Sequence, residues 1–210
     1  MVAIATSGVA NQVGWAAGMP VRIVMLGDSI TAGLGLPAQD ALPAKLEKAL
    51  RAKGHDVAIQ NAGVSGDTSS GGLARLDWSV GDGTDAVIIE LGANDALRGI
   101  DPKLTQKALD AVITRLRERK IAVLLTGMLA PRNLGEDYAK AFDPIYPALA
   151  AAQGVVFYPF ILDGVAANPA LNQGDGIHPT AAGVDIIVER LLPKAEELLG
   201  QVNKVRTGRS

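Results

Sequence analysis

The sequence predicts a single-domain α/β fold: a three-layer α/β/α sandwich of the flavodoxin-like kind, built around a five-stranded parallel sheet. Three observations lead there. Short apolar runs recur at residues 21–26, 57–60, 86–91, 122–126 and 155–158. They are continuous more than alternating, the pattern of strands covered on both faces. Between them lie segments with apolar residues at helical spacing, and alternation of buried strand with helix is the mark of a parallel sheet. Length agrees, since 210 residues suffice for one core that needs no staple.

Taken in order, residues 1–20 carry no charged side chain and mix small apolar with polar types. They lack the positive start and continuous apolar stretch of a secretory signal, and we expect a weakly ordered extension. In residues 41–53, Leu42, Leu46, Ala49 and Leu50 share one face of a helix, leaving Lys45, Glu47, Lys48 and Arg51 for solvent. Pro102 suits a first helical turn, and Leu104, Ala108, Val112 and Leu116 continue a stripe towards Lys120. A third helix is expected within 137–152, bent or broken by Pro144 and Pro147. The last should run from Thr180 to about Leu199, with Ile186, Ile187, Leu191 and Leu192 apolar and Pro193 a point of kinking. Residues 21–200 thus read as one domain and 201–210 as a solvated tail.

Composition narrows the function. Hydrophobic residues make up 48%, charged residues 20%, and the formal charge is −2, which gives no reason to propose nucleic acid or an anionic membrane as partner. No apolar run approaches the length of a membrane span. The chain has no cysteine, so disulfides, thiolate metal sites and cysteine nucleophiles are excluded, and either a reducing or an oxidising compartment is compatible.

Ligands of open parallel sheets bind beyond the carboxyl ends of the strands, so the residues after each run are the places where chemistry is expected. The first run ends in Gly27-Asp28-Ser29, a strand delivering one hydroxyl to the sheet rim. Serine alone is a poor nucleophile near neutral pH and needs a base, an orienting acid and oxyanion donors. Only His55 and His178 can serve as base. His55 sits in a helix-to-strand turn, Lys53-Gly54-His55-Asp56, and reads as an exposed turn residue. His178 follows Asp175 by three residues, between Gly176 and Pro179. One short turn lets Asp175 accept the Nδ1 proton and frees Nε2 for serine; by itself the pair also reads as a loop histidine with a local carboxylate cap. Gly66, after the second strand, offers a backbone N–H or simply a tight turn. Asn94, after the third, offers a neutral amide donor or a turn-forming side chain. The Ser29 N–H would be a third donor. Gly33-Leu34-Gly35-Leu36-Pro37-Ala38 formally fits the dinucleotide motif G-x-G-x-x-A. It begins about six residues after the strand and is interrupted by Pro37, so a nucleotide- or ligand-binding module without catalysis is the weaker reading.

Gly27-Asp28-Ser29-Ile30, Gly66, Gly92-x-Asn94-Asp95 and Asp175-x-x-His178 together resemble the four signature blocks of the SGNH (GDSL) hydrolases, with Ile30 where the family's name has Leu. The resemblance covers about residues 21–199. It implies Ser29 as nucleophile, His178 as base, Asp175 as its acid, and Ser29, Gly66 and Asn94 as the oxyanion hole, with neither metal nor cofactor. Asn61-Ala-Gly-Val-Ser-Gly-Asp-Thr68, Gly72-Leu-Ala-Arg-Leu76 and Glu90-Leu-Gly-Ala-Asn-Asp95 are similar to the arylesterase and thioesterase/lysophospholipase branch. That similarity implies hydrolysis of short- to medium-chain acyl or aryl esters, extending to thioesters or lysophospholipids. A carbohydrate acetylesterase is the alternative within the family. The branch is usually exported, which implies a periplasmic or secreted enzyme; without a signal in the chain a cytoplasmic one stands beside it. Candidate substrate contacts are Asp28 beside the nucleophile, Leu97, Met128 and Leu129 after the third and fourth strands, and Ile177 between acid and base; packed loop residues are the plainer reading of the same positions.

Overall fold

The computed structural model describes residues 19–206; the extension expected over 1–20 lies outside these but for its last two residues. Strands β1 (Val21–Gly27), β2 (Val57–Gly63), β3 (Ala86–Glu90), β4 (Ala122–Thr126) and β5 (Val156–Tyr158) form one sheet. All pair in parallel, in the order β2-β1-β3-β4-β5. The helices are α1 (Ser29–Ala32), α2 (Leu42–Ala52), α3 (Ser69–Ala74), α4 (Leu76–Ser79), α5 (Ala93–Leu97), α6 (Pro102–Glu118), α7 (Glu136–Phe142), α8 (Ile145–Gln153) and α9 (Ala181–Arg206). Helices α2 and α9 pack together on one side of the sheet, and α3, α6 and α8 on the other. This is the flavodoxin-like order, whose direction reverses between β1 and β3 and opens a crevice at their carboxyl ends.

Burial explains each strand. Every residue of β3 is buried, with Val87, Ile88 and Ile89 fully enclosed; each such side chain contributes about 1.5–3 kcal/mol through its removal from water. β2 departs from the expected pattern of burial on both faces: Gln60 and Asn61 are exposed and four more residues only partly covered, because it is an edge strand. Helix α2 buries Leu42, Leu46 and Leu50. In α6, Asp101 caps the first turn by accepting from the Lys103 N–H at 3.0 Å, and Ala108, Val112 and Leu116 are buried as expected. Leu104 is not; it is half-exposed, and Thr105 takes the buried place in that turn, donating to Asp95 at 3.0 Å.

The helix expected within 137–152 is two helices. The break falls at Pro144, while Pro147 occupies the first turn of α8, where a missing N–H disturbs nothing. Within α7, Tyr138 stacks on Phe142 at a ring separation of 5.8 Å, and across the break Phe142 meets Tyr146 edge to face at 5.7 Å. Helix α9 continues through Pro193 to Arg206, burying Val202, so the first part of the tail expected over 201–210 is helical and the rest lies outside the described residues. Among the described residues no helix is long and apolar enough to cross a membrane.

Candidate active site

The site grows from the junction of β1 and α1. Asp28 caps α1, accepting from the Ile30 N–H at 3.0 Å, and Ser29 is the first helical residue. Its N–H is among the donors that a helix start leaves without an intrahelical partner. The turn is too tight for a side chain at its base: a Cβ on Gly27 would lie 2.0 Å from Thr31 Oγ1. Beneath it, Glu90 at the end of β3 accepts from the Asp28 N–H at 3.3 Å, the Thr31 N–H at 3.2 Å and the Thr31 hydroxyl at 2.8 Å. Asp28, Thr31 and Glu90 are all buried, so the serine stands on a closed polar floor.

The loop before α9 brings the other two groups. His178 Nε2 lies 2.8 Å from Ser29 Oγ, and Nδ1 lies 2.6 Å from Asp175 Oδ2. An ionised carboxylate only accepts, so Nδ1 carries the proton and Nε2 is the acceptor facing the hydroxyl. Asp175 Oδ1 also receives the Ile177 and His178 N–H groups at 2.9 and 3.0 Å. The backbone N–H and the ring of His178, followed by the Ile177 N–H, hold the Asp175 carboxyl well below the usual carboxylate range. Gln173 ties this loop to the nucleophile's turn, donating through Nε2 to Leu34 O at 2.7 Å and Pro179 O at 2.9 Å. Acid and base, 149 residues from the serine in His178's case, are thus anchored to the same turn that carries it.

The third and fourth groups come from the ends of β2 and β3. Asn94, in the first turn of α5, donates one Nδ2 hydrogen to Asp28 Oδ2 at 3.1 Å. Gly66 adopts φ +81, a left-handed conformation natural to glycine, and its carbonyl accepts from Arg98 at 2.6 Å. The loop that bears it is fastened by Arg75. That guanidinium donates to Asp67 at 2.7 Å, Ala62 O at 2.8 Å, Ser79 Oγ at 2.9 Å and Gly27 O at 2.9 Å. Asp95 fastens the far end of the same loop by accepting from the Ser69 N–H and hydroxyl at 2.8 and 2.5 Å.

Ser29, His178 and Asp175 are therefore joined in one hydrogen-bonded chain, and the Asn94 amide reaches the residue before the serine. His55, set aside as a turn residue, lies against Glu196 at 3.2 Å. Gly33 and Gly35 do not open a helix: Gly33 closes α1, and Gly35 packs against Gln173. Two of the candidate substrate contacts are corrected. Asp28 is wholly buried, turned inward by its capping bond and by Asn94, and Met128 is buried in the core. Leu97, Leu129 and Ile177 remain exposed, joined by Val64 on the Gly66 loop. Sequence reasoning missed Thr31, Arg75, Glu90 and Asp95 as supports. One signal was available: Glu90 is the single charged residue in an otherwise apolar strand.

Comparison with known proteins identifies the family. The GDSL-like lipase/acylhydrolase family matches residues 25–186. Esterase TesA of Pseudomonas aeruginosa is 40% identical over 178 residues, 84% of this chain and 89% of that protein. An arylesterase of Vibrio mimicus is 40% identical over 159 residues, 75% of this chain and 80% of that one. The crystal structure of AlinE4, an SGNH-hydrolase family esterase, superposes with a TM-score of 0.73 at 44% identity, covering 87% of this chain and 98% of that one. With a sheet of the same kind and a family match spanning most of the described chain, the protein belongs to the GDSL-like lipase/acylhydrolase family of SGNH hydrolases.

Proposed function

We propose that this carboxylic ester hydrolase cleaves short- to medium-chain acyl and aryl esters through an acyl-enzyme on Ser29. The observation that carries the proposal is the unbroken chain from Ser29 Oγ through His178 to Asp175, at 2.8 and 2.6 Å. In the first half-reaction His178 Nε2 takes the hydroxyl proton as Oγ bonds to the ester carbonyl. The carbonyl oxygen becomes an oxyanion facing the N–H groups of Ser29 and Gly66 and the second Nδ2 hydrogen of Asn94. As the C–O bond breaks, His178 protonates the departing alcohol. Water then gives a proton to the same nitrogen as its oxygen bonds to the acyl carbon, and His178 returns that proton to Oγ as the Ser29 ester bond breaks and the acid leaves. Asp175 stays ionised throughout, fixing the ring and stabilising the imidazolium.

The loops that carry Gly66, Asn94 and His178 also expose Val64, Leu97 and Ile177. Apolar side chains at these places favour an acyl chain over the hydroxyl-rich surface that an acetylated sugar requires. The hydrolase domain in this reading is residues 21–200. Initial rates with p-nitrophenyl esters from acetyl to dodecanoyl, beside an acyl-CoA and acetylated xylan, test the proposal. A maximum among the shorter esters, lost in Ser29→Ala, is expected. Acetate release from xylan rivalling the simple esters would overturn the acyl-chain reading, and turnover by Ser29→Ala would overturn the mechanism.

A further inference from the structure

Glu90 takes no part in that chemistry, yet it is a fully buried carboxyl directly beneath the nucleophile. We propose that Glu90 is a positioning residue that works as a neutral, proton-bearing carboxyl: it donates a hydrogen bond to Asp28, and Asp28 in turn aims the Asn94 amide at the oxyanion. The inference deepens the esterase reading of the site and rests on it.

The geometry divides the two oxygens of Glu90. All three neighbouring donors, the Asp28 N–H, the Thr31 N–H and the Thr31 hydroxyl, go to Oε2. Oε1 is buried and has no partner among the groups able to donate. The Asp28 and Glu90 side chains are hydrogen-bonding neighbours, and with Oε2 taken by three donors, Oε1 is the oxygen left for Asp28. Two acceptor-only carboxylates cannot be stable side by side out of water, so one of them carries a proton.

The donors decide which. Asp28 receives the Ile30 N–H on Oδ1 at 3.0 Å and the Asn94 amide on Oδ2 at 3.1 Å, and His178 also favours its negative charge. Its two oxygens are therefore both occupied by donors and suit an anion. Glu90 has one oxygen saturated and the other empty, which is where a proton fits. Burial first, and the Asp28 charge second, push the Glu90 carboxyl well above its ordinary range. Burial also raises Asp28. The Tyr146 hydroxyl also lies near Glu90; burial keeps it in its neutral form, and it donates to Leu91 O at 3.0 Å. A carboxylic acid kept neutral in order to donate is a known catalytic device.

The consequence falls on Asn94. Its amide has two hydrogens, and the one given to anionic Asp28 fixes the plane in which the other lies. Remove the proton from Glu90, or the group itself, and Asp28 is repelled or unsupported, so the amide loses its aim. The test is steady-state hydrolysis of p-nitrophenyl butyrate by the full chain. Glu90→Ala should lower kcat about 10-fold or more, as partial loss of an oxyanion donor, with KM within about 2-fold. Glu90→Gln supplies an N–H where the proton sits and an oxygen for Thr31, and should restore kcat to within about 3-fold of wild type. In an Asn94→Ala background, Glu90→Ala should cost less than about 2-fold more, because its route of action is gone.

Equal damage from Glu90→Gln and Glu90→Ala, or full additivity with Asn94→Ala, overturns the proposal. Should Glu90→Ala not fold, the paired variants Glu90→Gln and Asp28→Asn carry the test: the first should stay near wild type and the second fall about 10-fold or more, since Asn cannot accept at both positions. The reverse ranking places the proton on Asp28 and sinks the idea. A readout independent of turnover separates this inference from the esterase reading. At neutral pH the inactive Ser29→Ala protein should show an infrared band of a protonated carboxyl that Glu90→Gln lacks; absence of that band in both overturns the assignment whatever the activity.

Discussion

Replacing Asn94 with alanine tests the oxyanion site most directly, because its two effects can be separated. The side chain makes one bond in the resting enzyme, from Nδ2 to Asp28 Oδ2 at 3.1 Å, and keeps a second hydrogen for the transition state. Loss of that second hydrogen should lower kcat about 10²–10³-fold, equivalent to about 2.7–4 kcal/mol. Loss of the first leaves a buried Asp28 oxygen without its donor, which costs about 1–3 kcal/mol of folding stability. A domain of ordinary stability, about 5–15 kcal/mol, stays folded under that loss. KM should move less than about 3-fold, since the donor acts chiefly on charge that develops after binding. Initial rates on p-nitrophenyl butyrate give kcat and KM, and urea unfolding followed by circular dichroism gives stability. A kcat within about 5-fold of wild type, in a protein that shows the expected loss of stability, would refute the assignment of Asn94 as a donor to the oxyanion.

Other expectations follow from the same geometry. Ser29→Ala should abolish hydrolysis and leave the unfolding midpoint nearly unchanged, as the hydroxyl's bond is to His178 alone. Asp175→Asn should lower kcat about 10⁴-fold by turning the imidazole to the wrong tautomer; a loss below about 10-fold would deny it the orienting role. Because the folded Asp175 carboxyl is held low, its contribution to stability is present above the ordinary aspartate range and fades only as pH falls through the depressed value. Above that value Asp175 should still read as an anion by NMR. For Glu90 the sign is opposite: its carboxyl is raised, so above the ordinary glutamate range the folded state holds a proton that the unfolded state has released. Wild-type stability should fall relative to Glu90→Gln by up to about 1.36 kcal/mol per pH unit in that window; parallel urea-unfolding profiles would contradict a raised Glu90. Arg75→Ala should cost about 3–5 kcal/mol by urea unfolding, since it takes from Asp67 its ion-pair partner and from Ala62 O, Ser79 Oγ and Gly27 O a donor each.

The fold was legible because its determinants are local. Continuous β-branched runs, amphipathic repeats and a proline at a helix start are properties of neighbouring residues, and they located five strands and the long helices. Misplaced boundaries also have local causes with tertiary outcomes: Pro147 is harmless because it fell in a first turn, and α9 outlasts its expected end because Val202 found a place in the core. The three residues that the structure joins in one hydrogen-bonded chain were legible too, because with two histidines in the chain and one acid three residues before the second, few assignments are open. The sequence by itself determined which groups can do the chemistry, since residue type and spacing fix what can ionise, attack or donate. Only the tertiary structure decided what each group faces. Asp28 sits next to the nucleophile in sequence yet points inward, and Glu90, 62 residues away, lies directly beneath it. Parallel pairing of β1 with β3 sets Gly27 opposite Glu90, and that register brings two carboxyls together where no local pattern announces them.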